Sequence, residues 1–132
     1  MAAEPTLYHQ HMVHYLRKDI TYADNGKTVE VGTIPSGSLV LPAISGVYVT
    51  TAFNGDTTNT ADVGITGTLE KYASDLALGT LGHIELDVIT DASSNSSLTT
   101  ADETIYSVVT STASASAGAA TIVMAYIPPV AT

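Results

Sequence analysis

The sequence predicts an all-β fold in a single domain. Three observations predict the β class, and the length of the chain predicts the single domain. Apolar and polar residues alternate with a period of two in several short segments, and Thr and Val are frequent whereas good helix formers are scarce. Clusters of Gly, Pro, Asn and Asp separate those segments. The length of 132 residues is sufficient for one core and too short for two ordinary domains.

About eight strands are predicted from this alternation. The clearest is HIELDVI at 83–89, in which three apolar residues would face the core while His, Glu and Asp face water. The predicted strands are 12–22, 28–34, 39–41, 46–53, 62–66, 83–89, 104–110 and 121–127. The apolar positions expected to be buried are Val47, Val49, Phe53, Val63, Ile65, Ile84, Leu86, Val88, Ile122 and Met124.

The connections follow from turn chemistry. Asp24, Asn25 and Gly26 tolerate positive φ and favour a tight hairpin between the first two strands. The stretch 47–67, VYVTTAFNGDTTNTADVGITG, is interpreted as a strand, an exposed turn and a second strand. Segment 67–78 interrupts the β pattern and predicts one short helical stretch after a Thr68 cap, with Leu69 and Tyr72 on one side.

The net charge of the chain argues against two classes of binding partner. The formal net charge is −9 with only four Lys and Arg residues, which disfavours nucleic acids and anionic membranes. No apolar run approaches the ~20 residues of a membrane span, and the first residues lack the pattern of a signal peptide. Cysteine is absent, which removes disulfides and thiol chemistry, so we expect stability to come from packing or assembly.

Two groups of side chains carry possible metal ligands. His9, His11 and His14 lie close in sequence, but on an extended strand only His9 and His11 share a face, so a metal would need ligands from a neighbouring subunit. The segment 54–62 supplies Asn54, Asp56, Asn59 and Asp62, oxygen ligands that calcium accepts, although the spacing matches no calcium loop. The favoured interpretations are a solvent-exposed or subunit-contact cluster for the histidines and self-capped turns for segment 54–62, and no metal or cofactor is predicted.

Catalytic patterns are weak. Gly26-Lys27-Thr28 matches the end of a phosphate-binding loop, but Thr21 stands where its first glycine belongs and a strand follows. Glu85 and Asp87 share a face at a spacing that a glycosidase could use, but a solvated strand face is the better explanation. No nucleophile elbow or zinc-protease motif occurs, and we therefore expect no enzyme.

Four segments resemble small β-rich proteins of tailed bacteriophage particles, above all capsid decoration or cement proteins: 32–41 GTIPSGSLVL, 47–55 VYVTTAFNG, 61–64 ADVG and 72–78 YASDLAL. The resemblance implies a jelly-roll or related antiparallel β-sandwich. It also implies a homotrimer on the outside of the virion, bound to the major capsid protein at local three-fold positions and stabilising the shell. It transfers no site residue to this chain.

Two other classes of function stay open at this point. A carbohydrate- or receptor-binding module of a viral fibre or cell surface uses the same architecture, and an enzyme is the third possibility. If Tyr48, Tyr106 or Tyr126 lined one concave face, a sugar-binding module would be favoured.

The strongest asymmetry of the chain lies near its start. Residues 1–18 are predicted to form an N-terminal arm or edge segment, and residues 19–132 a single sandwich domain. Two of the four Lys and Arg residues and three of the four His residues occur between positions 8 and 18. The alternative is a frayed terminus followed by an ordinary edge strand. The predicted capsid or subunit contacts are Tyr8, His9, His11, His14, Tyr15, Arg17 and Lys18.

Overall fold

The computed structural model describes residues 12–88, 98–112 and 114–129, and the regular secondary structure within them is almost entirely β. The nine strands of this part of the chain are β1 (His14–Thr21), β2 (Thr28–Ile34), β3 (Leu39–Val40), β4 (Gly46–Thr51), β5 (Asn59–Ile65), β6 (Thr68–Ala77), β7 (Gly82–Glu85), β8 (Glu103–Ser111) and β9 (Ala119–Ile127). The predicted all-β class is confirmed.

The strands form two antiparallel sheets. Sheet A has the order β1-β9-β4-β7, with the short β3 also paired to β9, and sheet B has the order β2-β8-β5-β6. Every strand pair is antiparallel. The predicted antiparallel sandwich is confirmed, and the two sheets leave one outer face each.

The core lies between the inner faces of the two sheets. Period-two burial is clearest in β8, where every second residue from Glu103 to Ser111 is buried, and in β9, where Ala120, Ile122 and Met124 point inward. Seven of the predicted core residues are buried: Val47, Val49, Phe53, Val63, Leu86, Ile122 and Met124. Ile65 and Ile84 are half-buried and pack against this core, and Val88 is half-buried.

The helical stretch predicted over 67–78 is wrong, because this segment forms β6. Its strand character is hidden by bulges. Val63 lies opposite Ala73 and Ile65 opposite Thr68, so a step of two residues on β5 corresponds to five on β6. The apolar positions of β6 therefore lose their period of two, and the spacing of Leu69 and Tyr72 resembles one side of a helix.

Within the described residues, the short helical turn is a 3₁₀ turn at Tyr22–Asp24. The Thr21 hydroxyl accepts from the amide of Ala23, and the Asp24 carboxylate accepts from the amide of Thr21. The hairpin predicted here is wrong, since the turn leads from β1 in sheet A to β2 in sheet B. Gly26 does adopt a positive φ of 78°, as the turn residues predict.

Candidate functional site

The described part of the predicted contact segment lies on an edge strand. Tyr8, His9 and His11 lie outside the described residues, whereas His14, Tyr15, Arg17 and Lys18 all belong to β1. β1 pairs with β9 without a register shift along its whole length. The segment 14–18 is thereby built into sheet A.

The alternation of the strand separates these four residues. Tyr15 and Arg17 lie on the outer face of sheet A, and Tyr15 is 65% exposed. His14 and Lys18 belong to the other side of the strand. The His14 ring is half-buried with its centroid 5.8 Å from that of Tyr126, a core residue. The four predicted residues therefore do not form one surface.

On the outer face of sheet A, Tyr15 and Arg17 lie near residues of two other strands, β9 and β4. The strand register places Asp19 beside Thr121 of β9, and Arg17 beside Val123. The Thr121 hydroxyl donates to Oδ1 of Asp19 over 2.8 Å. The Arg17 Nε atom lies 3.7 Å from the same carboxylate oxygen, and both side chains are mostly exposed. An exposed ion pair of this kind contributes little to stability, and a guanidinium has five N–H donors. Arg17 can therefore also donate hydrogen bonds to a partner.

The side chain of Tyr48 in β4 lies on the same face, and its contacts hold the ring in one orientation. Its ring stacks on that of His83 in β7, with centroids 4.2 Å apart and planes 6° apart. Its hydroxyl donates to the carbonyl of Ile44 over 2.9 Å. Nε2 of His83 lies 2.9 Å from the carbonyl oxygen of Ser45, which makes this nitrogen the donor. The orientation of the Tyr48 ring is therefore held from two directions.

These side chains enclose an open groove of about 430 Å³, lined by Tyr15, Arg17, Tyr48, Thr121 and Val123. Thr121 and Val123 were not predicted as contact residues, although both occupy outward positions of the predicted strand 121–127. The groove offers two aromatic rings, one valine and one guanidinium. It is suited to an apolar side chain accompanied by a carboxylate or carbonyl group.

The outer face of sheet B has a different chemistry. Thr33 and Thr104 lie side by side there, with hydroxyl oxygens 3.2 Å apart. The register places Glu30 beside Tyr106 and Asp62 beside Val108. A second open groove, of about 520 Å³, is lined by Asp62, Gly67, Thr68, Leu69, Glu70 and Val108. This face is rich in Thr and carboxylates.

The tyrosines proposed for sugar binding do not line one face. Tyr48 lies on the outer face of sheet A, Tyr106 on the outer face of sheet B, and Tyr126 is 8% exposed in the core. The arrangement that would favour a carbohydrate-binding module is therefore not formed by these three residues.

Three of the four residues considered as calcium ligands accept hydrogen bonds from backbone amides. Oδ1 of Asn54 accepts from the amides of Ser116 and Ala117, and Oδ1 of Asn59 accepts from the amide of Gly55. Oδ1 of Asp62 accepts from the amide of Asp75, a non-glycine residue with a φ of 55°, over 2.7 Å. The contact between Asn59 and Gly55 lies within the segment, as the self-capped interpretation expects, whereas Asn54 and Asp62 join the segment to distant parts of the chain. Across the described ranges, no group of three or more His, Asp or Glu side chains is arranged to hold a metal ion.

The phosphate-loop match and the carboxylate pair lack the geometry that their chemistry would require. Gly26 and Lys27 lead directly into β2, so no helix follows the lysine as a phosphate-binding loop requires. Glu85 is the last residue of β7, and Asp87 lies beyond the strand, where Oδ1 accepts from the amide of Ser74 over 2.9 Å. The two carboxylates are thus not presented together on one strand.

One buried charged cluster was not predicted from the sequence. Glu103 begins β8 at 8% exposure, and its two carboxylate oxygens accept from the Lys71 ammonium and the Tyr72 hydroxyl. Burial, together with the hydrogen bond and the negative charge of Glu103, raises the pKa of Tyr72. The cluster ties β6 to β8 inside sheet B, and its only sequence signal is a Lys-Tyr pair in a segment interpreted as helical.

No helix in the described ranges is long and apolar enough to cross a membrane. No protein family and no curated protein matches the chain significantly. Among solved structures, the chain is similar to a chain of the cyanophage Pam1 capsid asymmetric unit, with a TM-score of 0.61 and 18% sequence identity. The similarity covers 89% of this chain and 85% of the other. A structural similarity with 18% identity shows that the two chains share a fold.

Proposed function

We propose that this protein is a structural component of a tailed-bacteriophage virion that decorates the outside of the capsid and stabilises it by binding the major capsid protein. In this proposal it acts as a homo-oligomer, specifically a trimer, and has no catalytic activity. The observation that carries the proposal is the likeness in fold, over 89% of the chain, to a chain of the cyanophage Pam1 capsid asymmetric unit. The resemblance of four sequence segments to decoration proteins supports the same role.

The strand order supports a jelly-roll topology, which is a recurrent fold of viral capsid domains. If the two-residue β3 is set aside, the remaining eight strands pair from the outside inward along the chain: β1 with β9, β2 with β8, β4 with β7 and β5 with β6. Successive pairs alternate between sheet A and sheet B. This nesting is the pattern expected when one long antiparallel ribbon is wrapped into two sheets.

We further propose that residues 1–18 contribute an arm that contacts the shell or the adjacent subunit. β1 would anchor the end of this arm to sheet A through its pairing with β9. Tyr15 and Arg17 would then be its contacts on the outer face of sheet A, and Lys18 would lie at the edge. Tyr and Arg are favoured in interfaces because each covers a large area while offering directed hydrogen bonds.

The test is co-sedimentation of the purified protein with capsids that lack it. Specific, saturable binding is expected, with a stoichiometry matching the local three-fold positions. Absence of binding at micromolar protein would contradict the proposed function. Light scattering of the free protein measures the oligomeric state separately, and a monomer in solution together with isolated copies on the capsid would contradict the trimer.

A further inference from the structure

Large apolar side chains are distributed unequally between the two outer faces. Tyr15, Leu39 and Ile127, which are 65%, 41% and 37% exposed, are placed on the outer face of sheet A by the register of β1, β3 and β9. Among the described outward positions of the sheet B strands there is no exposed large apolar residue. Tyr106 and Val108, which point outward from β8, are half-buried. Sheet A thus has the outer face that gains more from being covered.

The charged side chains of the two outer faces also favour covering sheet A rather than sheet B. The outer face of sheet A carries the exposed guanidinium of Arg17 beside the groove, together with the carboxylates of Asp19 in β1 and Glu85 in β7. The outer face of sheet B carries the carboxylates of Glu30 and Asp62, with Glu70 beside its own groove. Removing those carboxylates from water would be unfavourable unless a partner supplied matching cations. Solvent is the better environment for the outer face of sheet B.

We propose that the outer face of sheet A is the surface that docks on the shell protein, with the outer face of sheet B directed to solvent. This inference rests on the proposed function and adds an orientation to it. An apolar side chain of the shell would enter the groove between Tyr15 and Tyr48, beside Val123. A carboxylate or carbonyl group of the shell would accept from Arg17.

The partner is a protein surface less acidic than this chain, and not a second copy of it. Each copy of this face carries two carboxylates, Asp19 and Glu85, and one guanidinium, Arg17, so two such faces placed together would have carboxylates in excess. A shell surface with apolar side chains, an acceptor for Arg17 and lower negative charge complements the face without that repulsion.

The groove is also formed before any partner arrives. Tyr48 is held by its stacking on His83 and by its hydrogen bond to Ile44, and Thr121 is held by its hydrogen bond to Asp19. Side chains that are already ordered lose little conformational entropy on binding. This favours docking of a rigid face over remodelling of the sheet.

Two valines provide a matched test. Val123 lies on the outer face of sheet A in β9, and Val108 on the outer face of sheet B in β8; both are half-buried on inner strands of their sheets. We expect Val123→Glu to weaken binding to capsids that lack the protein by about tenfold or more, and Val108→Glu to leave it within about twofold. Circular dichroism and thermal melting check that both variants fold.

A second pair covers the case in which a buried glutamate prevents folding. Tyr15→Ala removes an exposed ring from the sheet A face, and Tyr106→Ala removes a ring from the sheet B face. Only Tyr15→Ala is expected to weaken capsid binding.

The outcomes separate the orientation from the function. If the wild-type protein binds capsids and the sheet B variants are the weakened ones, or if neither face matters, the orientation is wrong while the decorating function stands. If Val123→Glu changes the oligomeric state of the free protein, a second copy covers this face and the proposed partner is wrong. If the wild-type protein does not bind, both proposals fail.

Discussion

The rings of Tyr48 and His83 lie nearly parallel, with centroids 4.2 Å apart on neighbouring strands of sheet A. The two residues are directly opposite each other in the register of β4 and β7. They fix one wall of the groove and also join the short edge strand β7 to the sheet. Their interaction should be measurable both in stability and in binding.

A double-mutant cycle with Tyr48→Ala and His83→Ala is expected to give a coupling energy of about 0.5–1.5 kcal/mol, the range for stacked ring pairs. Urea unfolding measures the coupling. Tyr48→Phe serves as the control, because it keeps the stacked ring and removes only the hydrogen bond to Ile44. Additive single variants would show that the stacking does not contribute to stability.

A second prediction concerns the packing of the core. Leu86 is fully buried whereas Leu81 is 64% exposed. Leu86→Ala should lower the free energy of unfolding by about 2–5 kcal/mol, because the truncation leaves a cavity among packed side chains. Leu81→Ala should change it by no more than about 0.5 kcal/mol. Denaturant unfolding of both variants provides the measurement, and equal effects would contradict the described packing.

The parts of the fold that the sequence predicted are those in which neighbouring residues alternate without interruption. In β9 the inward Ile122 and Met124 alternate with the outward Thr121 and Val123, so the pattern identifies both the strand and its faces. In β6 the bulges place Ala73 and Thr68 opposite β5 residues only two positions apart, which removes the alternation. The helical prediction failed for this physical reason.

Topology and the groove depend on contacts between distant residues. The turn chemistry of Asp24, Asn25 and Gly26 is compatible with a hairpin and equally with a crossover to the other sheet, so local signals did not decide between them. Tyr15 and Tyr48 line one groove because β9 lies between β1 and β4. No spacing within one segment encodes that neighbourhood. Arg17 and Tyr15 were nevertheless identified as contact candidates, because their residue types and the local concentration of charge are visible in the sequence.

The buried Tyr72 predicts a specific dependence of stability on pH. Its folded-state pKa is raised, chiefly by burial and further by the hydrogen bond and charge of Glu103, above the ordinary value near 10 that applies when the chain is unfolded. The unfolded chain therefore releases this proton first as the pH rises. The contribution is fully present below pH ~10 and is lost as the pH rises from there toward the folded-state pKa.

Tyr72→Phe tests this dependence. At pH 7 the variant should be less stable by about 1–3 kcal/mol, because Glu103 loses a buried hydrogen-bond donor. Above pH ~10 the difference between wild type and variant should shrink by up to about 1.4 kcal/mol per pH unit. Urea unfolding at pH 7, 9, 10 and 11 measures it, with Tyr22→Phe, which alters a partly exposed tyrosine, as the control. A constant difference across this range would show that Tyr72 titrates alike in both states.

The last prediction concerns the N-terminal arm. Residues before Met12 include Pro5, Glu4 and Gln10, which contribute little to a core, whereas β1 is anchored along its full length by β9. Deleting residues 2–11 should therefore leave the sandwich folded, with an unchanged dichroism spectrum, and weaken binding to capsids. Arg17→Ala should weaken binding and also reduce its dependence on salt, because an exposed guanidinium meeting a carboxylate is screened by ions. Lys27→Ala provides the matched control, since Lys27 is an exposed cation before β2 and away from the groove. Unchanged affinity of the truncated protein would refute the arm. An unaltered salt dependence in Arg17→Ala would refute the charge contact and direct attention to the segment from Asn54 to Asp62, which comprises the loop before β5 and the start of that strand.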